Sequence, residues 1–176
     1  MRHPALGTFL FFLAAPGVMA GLVPWLVTGW DGSPTGLDVL DVVGAVVALV
    51  GLVMVVACFV RFVREGRGTP APVAPTEELV VGGLYRYLRN PMYVGVGLVI
   101  AGQCLAFRSL PLVVWLGLFT VSVTFFVVAY EQPTLAERYG ASYARYRRDV
   151  PAVLPRIRGQ RTRATRPSSQ TGPSDS

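Results

Sequence analysis

The chain has 176 residues, 52% of them hydrophobic and 15% charged, with a formal net charge of +6. With a mean hydropathy of +0.50, this length allows one domain and excludes an ordinary water-soluble fold, because long uncharged apolar runs need a membrane around them. All 16 basic residues are arginines; they sit at the ends of apolar runs and in the tail, which fits orientation in a membrane and argues against a nucleic-acid partner.

Residues 6–26 form an uncharged run behind Met1-Arg2-His3. The run is too long for the apolar part of a signal peptide and long enough to span a bilayer. Pro16 and Gly17 are expected to kink it, and Trp25 and Trp30 suit the far interface. His3, the sole histidine, is expected to be a solvated terminal charge. The stretch 28–41, TGWDGSPTGLDVLD, is rich in turn residues and has no basic one. Residues 42–60 are then 19 consecutive apolar or glycine residues, a second span of about 28 Å at ~1.5 Å per residue. Arg61, Arg64 and Arg67 close it, and the following GTPAPVAP cannot remain helical.

A short third span is expected over 92–107, with glycines at 95, 97 and 102 that permit close helix contact. Arg108-Ser109-Leu110-Pro111 reads as a tight turn, and 110–130 as a fourth span stopped by Glu131-Gln132-Pro133. Cys58 and Cys104 lie inside apolar runs with no second ligand nearby, so core packing is expected, with neither a metal site nor a disulfide. In the segment 133–150, Leu135, Tyr139, Tyr143, Tyr146 and Val150 recur at helical spacing, with Arg138, Arg145, Arg147 and Arg148 between them. This predicts a helix lying on the lipid headgroups, broken in two by Gly140. The tail 159–176 has almost no apolar residues and is expected to be disordered. Positive charge gathers at 1–3, 61–89 and 138–166, with Arg108 the one mild exception. The positive-inside rule therefore places both termini and the 61–90 loop in the cytoplasm, the membrane being the bacterial inner membrane. The expected architecture is an all-α polytopic membrane protein. It has one domain over 1–158, with four transmembrane helices and a C-terminal interfacial helix.

The rest of the chain is organised around residues 82–97, GGLYRYLRNPMYVGVG. Asn90 suits a helix cap and Pro91 the first helical position, where a missing N–H costs nothing. The free amides and partial positive charge of such a helix start suit a carboxylate or phosphate. The competing reading is an interface anchor of Tyr and Arg ahead of a span. Glu131 falls at the same membrane face, so a zwitterionic ligand is conceivable, with its amine on Glu131 and its carboxylate on the helix start or an arginine. Equally, Glu131 meets water or pairs with Arg86 or Arg89, which contributes little.

The pattern GLYRYLRNPMYVG, followed one helical hairpin later by YEQPTLAERYGASYARYRRDVPAVLPR, resembles the isoprenylcysteine carboxyl methyltransferase and phospholipid methyltransferase superfamily. That pattern is G-x-Y-R-x-x-R-H-P-x-Y-x-G, a Glu-Glu pair, then F-G-x-x-Y-x-x-Y and V-P; the likeness covers about 77–156. The resemblance implies an integral membrane methyltransferase using S-adenosylmethionine on a lipophilic or small acceptor. It implies cofactor contacts at Leu79, Val80, Tyr85, Asn90, Pro91, Met92, Tyr93 and Glu131, with Arg89 and Glu131 as the catalytic residues. Three positions depart from it: Asn90 stands for the histidine, Gln132 for the second acid, and Val127 for the arginine that meets substrate in the prenylcysteine enzymes. Two other readings remain: an NADPH-dependent membrane reductase of the steroid-reductase type, and a non-enzymatic scaffold in which the motif only anchors a loop.

Overall fold

The computed structural model describes residues 14–30, 38–65, 79 and 81–153. Residues 6–13 of the first expected span, Val80 and the tail 159–176 lie outside them. All regular structure among the described residues is helical: α1 (Ala14–Thr28), α2 (Val39–Glu65), α3 (Pro91–Phe107), α4 (Leu110–Phe126) and α5 (Gln132–Asp149).

Glycine sets the central contact. A Cβ on Gly44 would lie 2.5 Å from the carbonyl oxygen of Gly102, and one on Gly51 2.5 Å from that of Gly95. Gly44 and Gly51 are seven residues apart on α2, as are Gly95 and Gly102 on α3, about two helical turns, so each helix carries its two glycines on one face. Helices α2 and α3 therefore run antiparallel with their backbones in contact. This is how apolar helices associate where lipid removes the hydrophobic drive and only close packing remains. Gly97, grouped with Gly95 and Gly102 in the sequence, instead faces the Phe119 ring of α4 at 3.8 Å. Val96, Ile100 and Phe119 form the core there, with Ala20, Val55, Cys104 and Trp115 against it.

The irregularity in α1 lies at Val18–Leu22, a π-helical turn, rather than at Pro16-Gly17. The cause is Pro24, which has no N–H to offer the carbonyls a turn earlier. Two side chains from other helices serve those carbonyls: Trp115 Nε1 donates to Met19 O at 2.9 Å and Gln103 Nε2 to Ala20 O at 2.7 Å. In a bilayer such groups must be satisfied within the protein, so the same bonds tie α1 to α3 and α4.

The fourth apolar run does not stop at Glu131-Gln132-Pro133. The chain passes from α4 through a second π-turn, Val127–Glu131, directly into α5, and Pro133, two residues past that turn, has no N–H for the carbonyls one turn earlier. The expected boundary at 130–133 is thus a change of helical register, not an end. The break comes at Gly140 (φ 49°, ψ −120°), as its composition suggested. Val39–Arg61 and Leu110–Asp149 are long and apolar enough to cross a membrane, whereas Ala14–Thr28 and Pro91–Phe107 are shorter apolar helices.

At the end of the bundle where α2 begins and α3 finishes, Arg108 adopts a left-handed conformation (φ 47°) that closes α3. Its guanidinium pairs with Asp38 at 2.7 Å and Asp41 at 3.4 Å. The charge that disagreed with the positive-inside pattern is therefore neutralised by the acids of the 28–41 stretch.

Candidate functional site

The opposite end of the bundle gathers the motif residues. Gly83 takes a positive φ of 57°, which suits a residue without a Cβ. The Arg61 guanidinium, from the end of α2, lies where a Cβ on Gly82 would be. One 3₁₀ turn follows, Gly83–Arg86, whose Leu84 carbonyl accepts from Tyr87 N at 3.0 Å and Leu88 N at 3.1 Å. This turn sends Tyr85 and Leu88 inward, 8% and 7% exposed, while Arg86 and Tyr87 face out. Tyr85 is hydrogen-bonded to the Cys58 thiol of α2. Burial foremost, then Cys58 and more weakly Glu131 and Tyr146, hold the Tyr85 phenol well above its ordinary range, so it stays protonated.

Asn90 precedes Pro91, which disfavours helical backbone before it; its φ and ψ are −124° and 52°. Its side chain makes no capping bond, contrary to expectation. Among the described residues no side chain caps the first-turn amides of α3, and Pro91 is buried beside them. One turn on, the Tyr93 hydroxyl donates to Glu131 Oε2 at 3.0 Å. Glu131 closes the π-turn, where one extra residue per turn rotates the following side chains about the helix axis; such turns recur at functional sites. Its Oε1 has no hydrogen-bond partner among the described residues.

The far half of α5 folds over this group. Tyr143 is 3% exposed and Val150 9%, while Arg138, Arg145, Arg147 and Arg148 are exposed. Tyr146 donates to the carbonyl of Tyr85 at 2.7 Å, and Arg89 N donates to the carbonyl of Pro151 at 2.9 Å. Arg89 is half-buried beside the Tyr146 ring, with its Nε buried and unpartnered.

Of the residues singled out in the sequence, Tyr85, Tyr93 and Glu131 come together, and Asn90, Pro91 and Met92 form the adjoining helix start. Arg89 joins through its backbone N–H on the Pro151 carbonyl, whereas Arg86 turns outward. Leu79 is half-buried, and Val80 lies outside the described residues. Cys58, Tyr146 and the Pro151 carbonyl were not singled out for the site. The spacing that turns Tyr143 and Tyr146 inward was the one signal pointing to any of them.

Residues 39–142, more than half of the chain, match the family model for phospholipid methyltransferase. The chain belongs to the phospholipid methyltransferase family. Neither the search of curated proteins nor that of solved structures found a match. Methyltransferases of the phospholipid methyltransferase family generally use S-adenosylmethionine, whose methionine end carries an ammonium and a carboxylate. The donor set fits that group: Glu131 has a free carboxylate oxygen for the ammonium, and the uncapped start of α3 offers amides to the carboxylate.

Proposed function

We propose that this chain is an integral membrane methyltransferase that transfers a methyl group from S-adenosylmethionine to a lipophilic or small acceptor through a carboxylate, hydroxyl or amine. The observation that carries the reading is the Tyr93–Glu131 hydrogen bond, which joins the first turn of α3 to the π-turn after α4 at 3.0 Å. It brings the two halves of the family motif to one place. When bound, the cofactor supplies an electrophilic methyl on a sulfonium, so the chemistry asks the protein for alignment and exclusion of water.

The residues divide that work. Tyr93 directs the Glu131 carboxylate, whose free oxygen receives the cofactor's ammonium. The first-turn amides at Met92 and Tyr93 receive its carboxylate. Tyr85 and Leu88 wall the site from water, and Arg89, whose buried Nε has no hydrogen-bond partner among the described residues, offers a cation to an anionic acceptor. Val127 is buried where the prenylcysteine enzymes carry an arginine, so the acceptor is not held by a charge at that position. In this reading all four apolar helices span the inner membrane, both termini and the site face the cytoplasm, and the acceptor enters from the lipid. The partners are membrane lipids and the acceptor, without nucleic acid.

Calorimetric titration of the purified protein with S-adenosylmethionine and, separately, NADPH tests this. Saturable binding of the first and none of the second is expected. Binding of NADPH alone would favour a reductase, and binding of neither a scaffold.

A further inference from the structure

The turn that carries Tyr85 and Arg89 is not self-supporting. Its internal backbone hydrogen bonds run from Tyr85 N to Gly82 O and from Tyr87 N and Leu88 N to Leu84 O. None of them uses the carbonyl of Tyr85 or the amide of Arg89. Both of these bond to the far half of α5 and the residues just after it: Tyr85 O accepts from the Tyr146 hydroxyl at 2.7 Å, and Arg89 N donates to the Pro151 carbonyl at 2.9 Å. This arm reaches the turn because Gly140 breaks α5 with a positive φ of 49°, a conformation that costs a residue with a Cβ. Tyr143, packed near Tyr146 with ring centroids 6.5 Å apart, is 3% exposed and anchors the arm. The main chain of the motif turn is thus tied at two points to a segment about sixty residues away in sequence.

We propose that Tyr146 is a positioning residue of the site, its hydroxyl fixing the Tyr85 carbonyl so that Tyr85 and Arg89 stay set beside Glu131 and Tyr93. The inference rests on the methyltransferase reading for its ligand, but the bond it concerns lies outside the contacts expected for the cofactor. Tyr146 holds the main chain of the turn and acts through it. A turn released from Tyr146 keeps its residues but samples more orientations, and ordering them again on binding weakens affinity.

The test compares Tyr146→Phe, which keeps the ring and removes one hydroxyl, with Tyr139→Phe on the same helix. Titration with S-adenosylmethionine is expected to give a dissociation constant raised about three- to tenfold in Tyr146→Phe, the size of one net hydrogen bond, and unchanged in Tyr139→Phe. Hydrogen exchange without ligand is expected to accelerate over residues 84–89 in Tyr146→Phe while the α2 and α3 glycine contact keeps its protection. Equal affinity in wild type and Tyr146→Phe would overturn the positioning role, as would unchanged exchange over 84–89. Faster exchange spread evenly through α2 and α3 would also overturn it, by showing a general loss of stability. A wild-type protein that binds no S-adenosylmethionine would overturn the methyltransferase reading and the positioning role with it. Equal binding by both proteins would overturn the positioning role alone.

Discussion

Tyr93 and Glu131 are 38 residues apart in sequence and share one hydrogen bond, so the hydroxyl of Tyr93 should matter more than its ring. Tyr93→Phe leaves the Glu131 carboxylate without its donor and free to rotate. Binding of S-adenosylmethionine, followed by calorimetry, is expected to weaken about three- to tenfold, the size of one net hydrogen bond. An unchanged constant would show that Tyr93 only packs. Asn90 illustrates what residue type alone conceals. Its identity suggested a capping side chain, but Pro91 pushes its backbone out of helical geometry and the side chain makes no capping bond. In the proposed site, the amides such a cap would occupy receive the carboxylate of the cofactor.

The α2–α3 contact makes a sharper prediction for helices than for single residues. Gly51→Val puts a branched side chain where even a Cβ would lie 2.5 Å from the Gly95 carbonyl. It should lower stability by about 1–3 kcal/mol or more, since overpacking forces backbone shifts. Gly97→Ala, whose new methyl would meet only the Phe119 ring at 3.8 Å, should change it little. Thermal unfolding in detergent separates the two, and equal shifts would mean the helices do not meet through Gly51. The helices were readable as uncharged runs, α3 with both its limits, and the inward face of α5 as a helical repeat of Leu, Tyr and Val. But α2 begins at Val39 and runs on past Arg61 and Arg64 to Glu65, since charges that end an apolar run need not end a helix. The two π-turns were not readable. Each lies just ahead of a proline, Pro24 or Pro133, that has no N–H for the preceding carbonyls, and at Pro24 those carbonyls are served by Trp115 and Gln103. These two partners are distant in sequence, and nothing local announces them. For the same reason the sequence showed that Glu131 and the motif share one face, but not that Tyr93 is the residue that meets Glu131.

Across the whole molecule, charge divides the two ends. Among the described residues, Arg108 is held by Asp38 and Asp41 on the acidic side, while the exposed arginines of α5 lie on the other. The one arginine on that side among the described residues is thus paired, which agrees with the orientation rule. Reporter fusions at residue 35 and at the C-terminus should therefore report opposite sides of the membrane; the same side for both would contradict the four-span arrangement. Arg108→Ala should leave that orientation intact and cost no more than about 1 kcal/mol, as expected for exposed pairs.

Glu131 carries the central claim, and its charge can be removed with little change of shape. In Glu131→Gln the side chain keeps its size but no longer pairs with an ammonium, a charge-assisted bond of about 1.5–3 kcal/mol. Titration with S-adenosylmethionine should show affinity reduced about ten- to a hundredfold. Glu137→Gln, at an exposed position on α5, should bind as the wild type does because its charge is screened by water. Small, equal effects at both positions would contradict the account, since Glu131 would then only meet solvent.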